Sequence, residues 1–301
     1  MWVLYALLAA FCYALGSLII KYSVSKVVRD QNGIVVVHAI GALLVILVVW
    51  ALGDHRLIHS THDSLVGLTS GVFIGIAAVA YFKALNLHDT SNIVILNQLT
   101  VPMTLLLSFI ILGDKVTTLQ FMAVLLVGVG VVLGTMTRGG IKFKNDRTIV
   151  YMLFTTLMWA FSFIATKSIL DRHDTITVTL YQTAGYAIFS GLLTIFHPIT
   201  RSGYLKNMHP FHPKMLSIVW GSEIVFTVAV ILQLKAFSFV NAGLATAVGT
   251  TEVFMSIILG LALTRFFPHL ISEKIDRHTI GRKLAGGAII VVGIAMLGLN
   301  S

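Results

Sequence analysis

Three titratable side chains fall inside apolar stretches, where charge is costly. Glu252 stands near the centre of a run at 242–264, Glu223 about a third of the way into one at 215–237, and His38 near the start of one at 34–52. A carboxylate at mid-bilayer costs on the order of 3 kcal/mol on insertion scales. Burial disfavours its charged form, so a carboxyl kept there is a candidate proton carrier, and an imidazole can gate protons near neutral pH. The structural alternative is a glutamate held silently by Lys235 or by threonines, and a histidine packed near a helix end. A second kind of chemistry sits in NQLTVPMTLL at 97–106, within a run from Ser91 to Leu112 that has no charged residue. Asn97, Gln98, Thr100 and Thr104 supply donors and acceptors there. Pro102 lacks an N–H and so withdraws the helical partner of the Gln98 carbonyl. Open backbone groups at that depth are tolerated only where protein or a water-filled cavity satisfies them. The run is expected to line a cavity; threonines bonding back to their own helix, with a proline bend for packing, is the alternative.

The elements that must hold these residues follow from composition. Of 301 residues, 57% are hydrophobic and 11% charged, and mean hydropathy is +0.92. Soluble domains carry roughly a quarter charged residues, so this is an integral membrane protein. Ten apolar segments are read at about 2–21, 34–52, 65–85, 91–112, 118–136, 149–170, 176–196, 215–237, 242–264 and 283–299. Each approaches the roughly 20 residues of a spanning helix. The fold class expected is an all-α membrane protein of ten transmembrane helices. The connectors 197–214 and 265–282 hold or adjoin four of the five prolines and read as surface loops. A single cysteine, Cys12, excludes an internal disulfide and a cysteine-built zinc site. The N-terminus has no basic n-region, so segment 1 is expected to remain as a helix.

The two halves of the chain resemble each other. YALGSLIIK (13–21) aligns with WAFSFIATK (159–167) at an offset of 146, VVHAIG (36–41) with LYQTAG (180–185), and YFKAL (81–85) with QLKAF (233–237) at 152. At that last offset TVPM (100–103) falls on EVFM (252–255). Four matches in one order give two five-helix halves, 1–140 and 147–301. Five is odd, so the second half enters the membrane from the opposite side, an inverted repeat of the kind that alternating access uses. Candidate substrate-binding residues are Asn97, Gln98, Thr100 and Pro102, their counterparts Thr250, Thr251 and Glu252, and Gln182, Tyr81 and Trp159. Glu252, Glu223 and His38 are the proton-coupling candidates.

YFKAL, Pro102 in mid-segment, the LGDK turn (112–115) and the glycine-rich LLVGVGVVLG (125–134) together resemble the EamA-type half repeat of the drug/metabolite transporter superfamily. QLKAF, SEK (272–274) and LAGGAIIVVGIAMLG (284–298) repeat the pattern more weakly. The resemblance implies a ten-helix carrier of small metabolites, often an exporter. Asp114 stands where that family usually has glutamate, His38 and Gln182 replace a basic residue often found near the start of helix 2, and Phe254 occupies the place aligned with Pro102.

The net charge of +9 falls in short connectors without a basic helix, which argues against nucleic acid. Lys21, Lys83, Lys167 and Lys235, at segment ends, read as snorkelling lysines rather than an anion-attracting ring. His55, His59 and His62 share one connector, with His209, His212 and His269 in others, and read as solvated rather than as a metal site. Glycines 128, 130, 286 and 287 make faces for close helix contact. No Walker-type loop or nucleophile elbow is present, so no cofactor is expected and the chain is read as a non-enzyme. The function expected is a secondary transporter, an exporter of a small polar metabolite such as an amino acid. It would work in a plasma or inner membrane as a monomer or homodimer, with protons a candidate coupling ion. A non-transporting intramembrane enzyme or a scaffold or sensor is the alternative. Connectors 1–2, 3–4, 5–6, 7–8 and 9–10 hold 14 of the 21 Lys and Arg and the other connectors three. The positive-inside rule then puts both termini outside, whereas the family resemblance implies cytoplasmic termini.

Overall fold

The computed structural model describes residues 2–28, 30–53, 56–88, 90–112, 117–135, 147–170, 172–208, 213–237, 239, 248–267 and 277–298. All regular structure among them is helical. The helices are α1 (Trp2–Tyr22, running into a π turn at Ser23–Val27), α2 (Ile34–Ala51), α3 (Thr61–Leu87), α4 (Thr90–Asn97), α5 (Thr100–Leu107, running into a π turn at Ser108–Leu112) and α6 (Thr118–Thr135). After them come α7 (Arg147–Leu170), α8 (Thr175–Phe196), α9 (Pro198–Met208), α10 (Pro213–Phe237), α11 (Glu252–Phe266) and α12 (Arg277–Gly298). Among the described residues six stretches are long and apolar enough to cross a membrane: Trp2–Val27, Ile34–Ala51, Thr61–Leu87, Asn92–Ile111, Arg147–Leu170 and Pro213–Ala236. The LGDK turn beyond Leu112, Asp114, the SEK triplet, and His55, His209, His212 and His269 lie outside the described residues.

Two boundaries differ from the sequence reading in an informative way. The connector 197–214, read as a loop, carries α9, because Pro198 fixes the first helical turn and no further proline follows until Pro210. Segment 10 begins six residues earlier than its apolar run, so Lys283 lies within α12 and is buried rather than at a connector edge.

Helices pack in pairs that cross between the halves: α1 on α10 and α11, α3 on α7 and α8, α2 on α8 and α10, and α6 on α12. Glycines set the tightest of these seams. A Cβ at Gly71 of α3 would stand 1.8 Å from the Gln182 carbonyl oxygen of α8, and one at Gly185 would stand 1.9 Å from the Leu68 carbonyl oxygen of α3. On the α2–α10 seam, Gly41 lies against the Trp220 ring, 2.3 Å from a hypothetical Cβ. Gly41 and Gly185 are counterparts in the aligned VVHAIG and LYQTAG, and Trp220 and Leu68 are 152 residues apart. The same contact thus recurs once on each side of the bundle.

Polar ties close the two ends. At one end the Lys206 amine of α9 donates to Asp30 at 3.1 Å, the Asn207 amide donates to the Asp30 carbonyl at 2.8 Å, and the Asp30 N–H donates to Asn207 Oδ1 at 3.0 Å. Burial alone would raise the Asp30 carboxyl, but the Asn32 backbone N–H and the Lys206 ammonium outweigh it and hold the group below its ordinary value. At the other end Asp63, in the first turn of α3, takes Arg172 at 3.2 Å and His173 at 2.9 Å from the α7–α8 connector. Asp174 caps α8 by accepting from the N–H groups of Ile176 and Thr177 at 3.1 and 3.0 Å.

The seam geometry sets a packing prediction. Gly71→Ala forces a methyl into a backbone carbonyl and is expected to cost at least the 1–3 kcal/mol typical (about) of overpacking. Gly191→Ala, where nothing lies within 4 Å, is expected to leave melting temperature unchanged. Thermal unfolding of the two purified variants in one detergent checks the contrast.

Candidate functional site

The uncharged run does break in the middle: α4 ends at Asn97, Gln98 and Leu99 form a turn, and α5 starts at Thr100. Four backbone bonds reclose the chain: Gln98 N–H to Ile95 O (3.2 Å), Leu99 N–H to Leu96 O (3.1 Å), Val101 N–H to Gln98 O (3.2 Å) and Met103 N–H to Leu99 O (3.1 Å). The Gln98 carbonyl that Pro102 leaves without its helical donor is therefore taken by Val101 in a tighter turn. It is not open to a cavity, which corrects the sequence expectation.

Proline is not the cause of the break either. In the second half Thr250 and Thr251 form the matching turn before α11, with Phe254 in the proline's place. Three bonds recur there at the offset of 152: Thr251 N–H to Val248 O (3.1 Å), Val253 N–H to Thr250 O (3.0 Å) and Met255 N–H to Thr251 O (3.0 Å). They correspond one for one to Leu99–Leu96, Val101–Gln98 and Met103–Leu99. Most side chains at the breaks are satisfied locally. The Gln98 amide donates to Val94 O (3.2 Å), the Thr100 hydroxyl to Asn97 Oδ1 (3.3 Å), Thr104 to Thr100 O (2.8 Å) and Thr251 to Val248 O (2.8 Å). For those residues the back-bonding alternative holds.

Glu252, in the first turn of α11, is different. A helix N-terminus favours its negative charge. Its side chain lies within electrostatic range of both Tyr13 and Tyr81. Among the described residues its carboxylate has no hydrogen-bonded or ion-paired partner. Around it the structure gathers Tyr81, stacked at a tilt on Trp159 with centroids 5.3 Å apart and donating to Ser17 at 3.4 Å, and Tyr13, donating to Gln233 Oε1 at 2.6 Å. Sequence reasoning named Tyr81 and Trp159 but missed Tyr13 and Gln233. The signal was present: Tyr13 aligns with Trp159 and Gln233 with Tyr81. The Tyr13–Gln233 contact is the repeat image of the Trp159–Tyr81 contact. Two clefts of about 410 and 430 Å3 are lined by other residues.

Other candidates fall elsewhere. Gln182 donates to Ser162 (3.2 Å) and Thr166 (2.9 Å) and bridges α8 to α7 rather than facing Glu252. His38 and Glu223 meet on the α2–α10 seam, Nδ1 of the imidazole against Oε1 of the carboxylate, with His38 1% and Glu223 7% exposed. Phe82 covers the imidazole at 4.8 Å between ring centroids. His38 Nε2 is buried with no partner among the described residues. The repeat counterparts of this pair are Gln182 and Gly71, so one seam carries a titratable pair where the other carries a backbone contact. Lys21 neither snorkels nor forms an anion ring; its ammonium donates to the carbonyls of Leu85 and of His88 (2.8 Å) and caps the end of α3.

Residues 1–136 match the model of the EamA-like transporter family. That is a family of membrane transporters in the drug/metabolite superfamily which the sequence motifs resemble. The bilayer is accordingly the solvent of the long apolar helices. No curated protein matches the chain. Among 28 matching chains of solved structures, one crystal structure, 17% identical, has a TM-score of 0.61 over 99% of this chain and 95% of its own. At that identity the likeness shows the fold alone, and it extends over both halves.

Two predictions follow from this geometry. Because α11 breaks without a proline, Pro102→Ala is expected to keep the turn at 98–99, so that spin labels at 94 and 106 retain their separation by electron–electron resonance. Removing one member of the buried pair, as in His38→Leu or Glu223→Leu, is expected to cost about 3–5 kcal/mol, and the double variant to recover most of it. Denaturation of the three variants measures that cycle.

Proposed function

We propose that the protein is a secondary carrier, an exporter of a small polar metabolite such as an amino acid, in the plasma or inner membrane. Its two five-helix repeats, 1–140 and 147–301, lie inverted and exchange inward-open and outward-open shapes about a midplane site. The observation that carries this reading is the matched pair of helix breaks, with three backbone bonds repeated at one offset. Half-helices meeting at mid-depth are how carriers place polar groups against a substrate inside hydrocarbon. Glu252 is the central polar group, with Tyr13, Tyr81, Trp159 and Gln233 shaping the space beside it and Asn97, Thr100 and Thr250 at the breaks. Protons are the coupling ion, taken by Glu252 when substrate leaves, with His38 and Glu223 on the α2–α10 seam as further coupling candidates.

The experiment is transport in vesicles of purified protein under an imposed pH gradient, with labelled amino acids as the first substrates. The wild type is expected to accumulate substrate, and Glu252→Gln to lose gradient-driven accumulation by about 100-fold or more while melting normally, since a full unit of charge no longer changes at the site. Unimpaired accumulation by that variant removes Glu252 from coupling. A wild type that moves none of a broad metabolite panel points to a scaffold or sensor.

A further inference from the structure

Among the described residues the helix α9 has no counterpart in the first half, where the matching connector between α2 and α3 is short. Its 11 residues span roughly 16 Å, half a hydrocarbon core. Thr200, Gly203 and Asn207 form its buried face against the turn at Gln31–Gly33. Gly203 and Gly33 approach so closely that a Cβ at Gly33 would stand 2.0 Å from the Tyr204 nitrogen. Outside that face Ile199 (58%) and Leu205 (52%) are exposed, as are Ile195 (68%) and Phe196 (78%) at the end of α8. This strip of exposed apolar side chains suits contact with the bilayer interface rather than water.

Cations stand beside the strip. A shallow cleft of about 410 Å3 is lined by Ile195, Pro198, Arg201, Ser202, Leu205 and Lys206. Arg201 is exposed, and among the described residues its guanidinium has no partner. Lys206 uses one donor on Asp30 and keeps two. An apolar floor with a free guanidinium, a hydroxyl and an ammonium at its rim complements one kind of molecule, an anionic amphiphile already in the membrane. The tie of Asp30 to Lys206 and Asn207 places this cleft at the end of the bundle that holds connectors 1–2 and 7–8, and the basic connectors of that end favour the leaflet rich in anionic lipid.

We propose that this cleft binds an anionic phospholipid, with Arg201 and Lys206 on its phosphate, Ser202 donating beside them, and an acyl chain along Ile195 and Leu205. The lipid bridges nothing new but secures α9 where it holds the first half's connector, so its presence stabilises the fold. This site is independent of what the carrier moves.

The test uses the full-length protein in zwitterionic detergent, titrated with phosphatidylglycerol or phosphatidylcholine, reading melting temperature and, by native mass spectrometry, retained lipid. Phosphatidylglycerol is expected to raise the melting temperature and one copy to survive mild activation, whereas phosphatidylcholine does neither. Arg201→Ala is expected to weaken the phosphatidylglycerol response by about five-fold in midpoint, the loss of one cation near an anionic surface, and Arg201→Glu to abolish it. Because Arg201 is exposed, both variants fold, and Ser217→Ala on α10 serves as a surface control. Equal stabilisation by phosphatidylcholine, no response in the wild type, or an undiminished response in Arg201→Glu each overturns the proposal, and inorganic phosphate reproducing the effect assigns the cleft to a free anion instead.

Discussion

Inside hydrocarbon no water takes up an unpaired peptide group, and this constraint shapes both interruptions in the bundle. A helix that simply stopped at Asn97 would leave several carbonyls without donors. The chain instead tightens by one residue, so that Val101 reaches Gln98 and Leu99 reaches Leu96, and resumes within two residues. The same solution recurs at Thr250 and Thr251. What the break achieves is direction rather than open backbone: it turns the next helix so that its first residues, Thr100 in one half and Glu252 in the other, begin a new N-terminus at depth. A carboxylate is far cheaper at such an N-terminus than in mid-helix, where no backbone N–H points at it.

Close glycine seams depend on the same economy. Between helices in lipid there is little hydrophobic drive to associate, so van der Waals contact has to be intimate. Gly71 and Gly185 bring the backbones of α3 and α8 into contact, and Gly41 admits the Trp220 ring between α2 and α10. These contacts hold helices of one half to helices of the other, which makes the bundle a single packed body rather than two independent ones.

Much of this was legible in the chain, and the failures have physical causes. The long apolar helices show in composition and run length, because the bilayer requires both. The break at 98 was visible through Pro102, but the reason drawn from it was wrong. A proline signals a missing donor, and only coordinates show that a neighbouring N–H has moved to replace it. Helix α9 was hidden because its 11 residues, several of them polar, lack the apolar run by which spans are found. The meeting of His38 with Glu223, 185 residues apart, is set by the crossing of α2 and α10, which no local pattern encodes. Tyr13 and Gln233, in contrast, were derivable by completing the repeat.

The two seams that relate the halves are alike in backbone and unlike in chemistry, and the difference bears on how such a body can move. Two identical inverted halves would make inward-open and outward-open shapes equal in energy, with nothing to bias one over the other. Here α2 meets α10 through an imidazole and a carboxylate, while α8 meets α3 through a glycine pressed on a carbonyl. The glycine seam keeps its contact at any pH. The His38–Glu223 seam instead joins two polar side chains, with the imidazole Nε2 buried and unpartnered among the described residues. The two seams are therefore held by different contacts, a polar side-chain pair on one and a backbone approach on the other. The asymmetry is written in two sequence differences, His38 against Gln182 and Glu223 against Gly71, on an otherwise repeated frame.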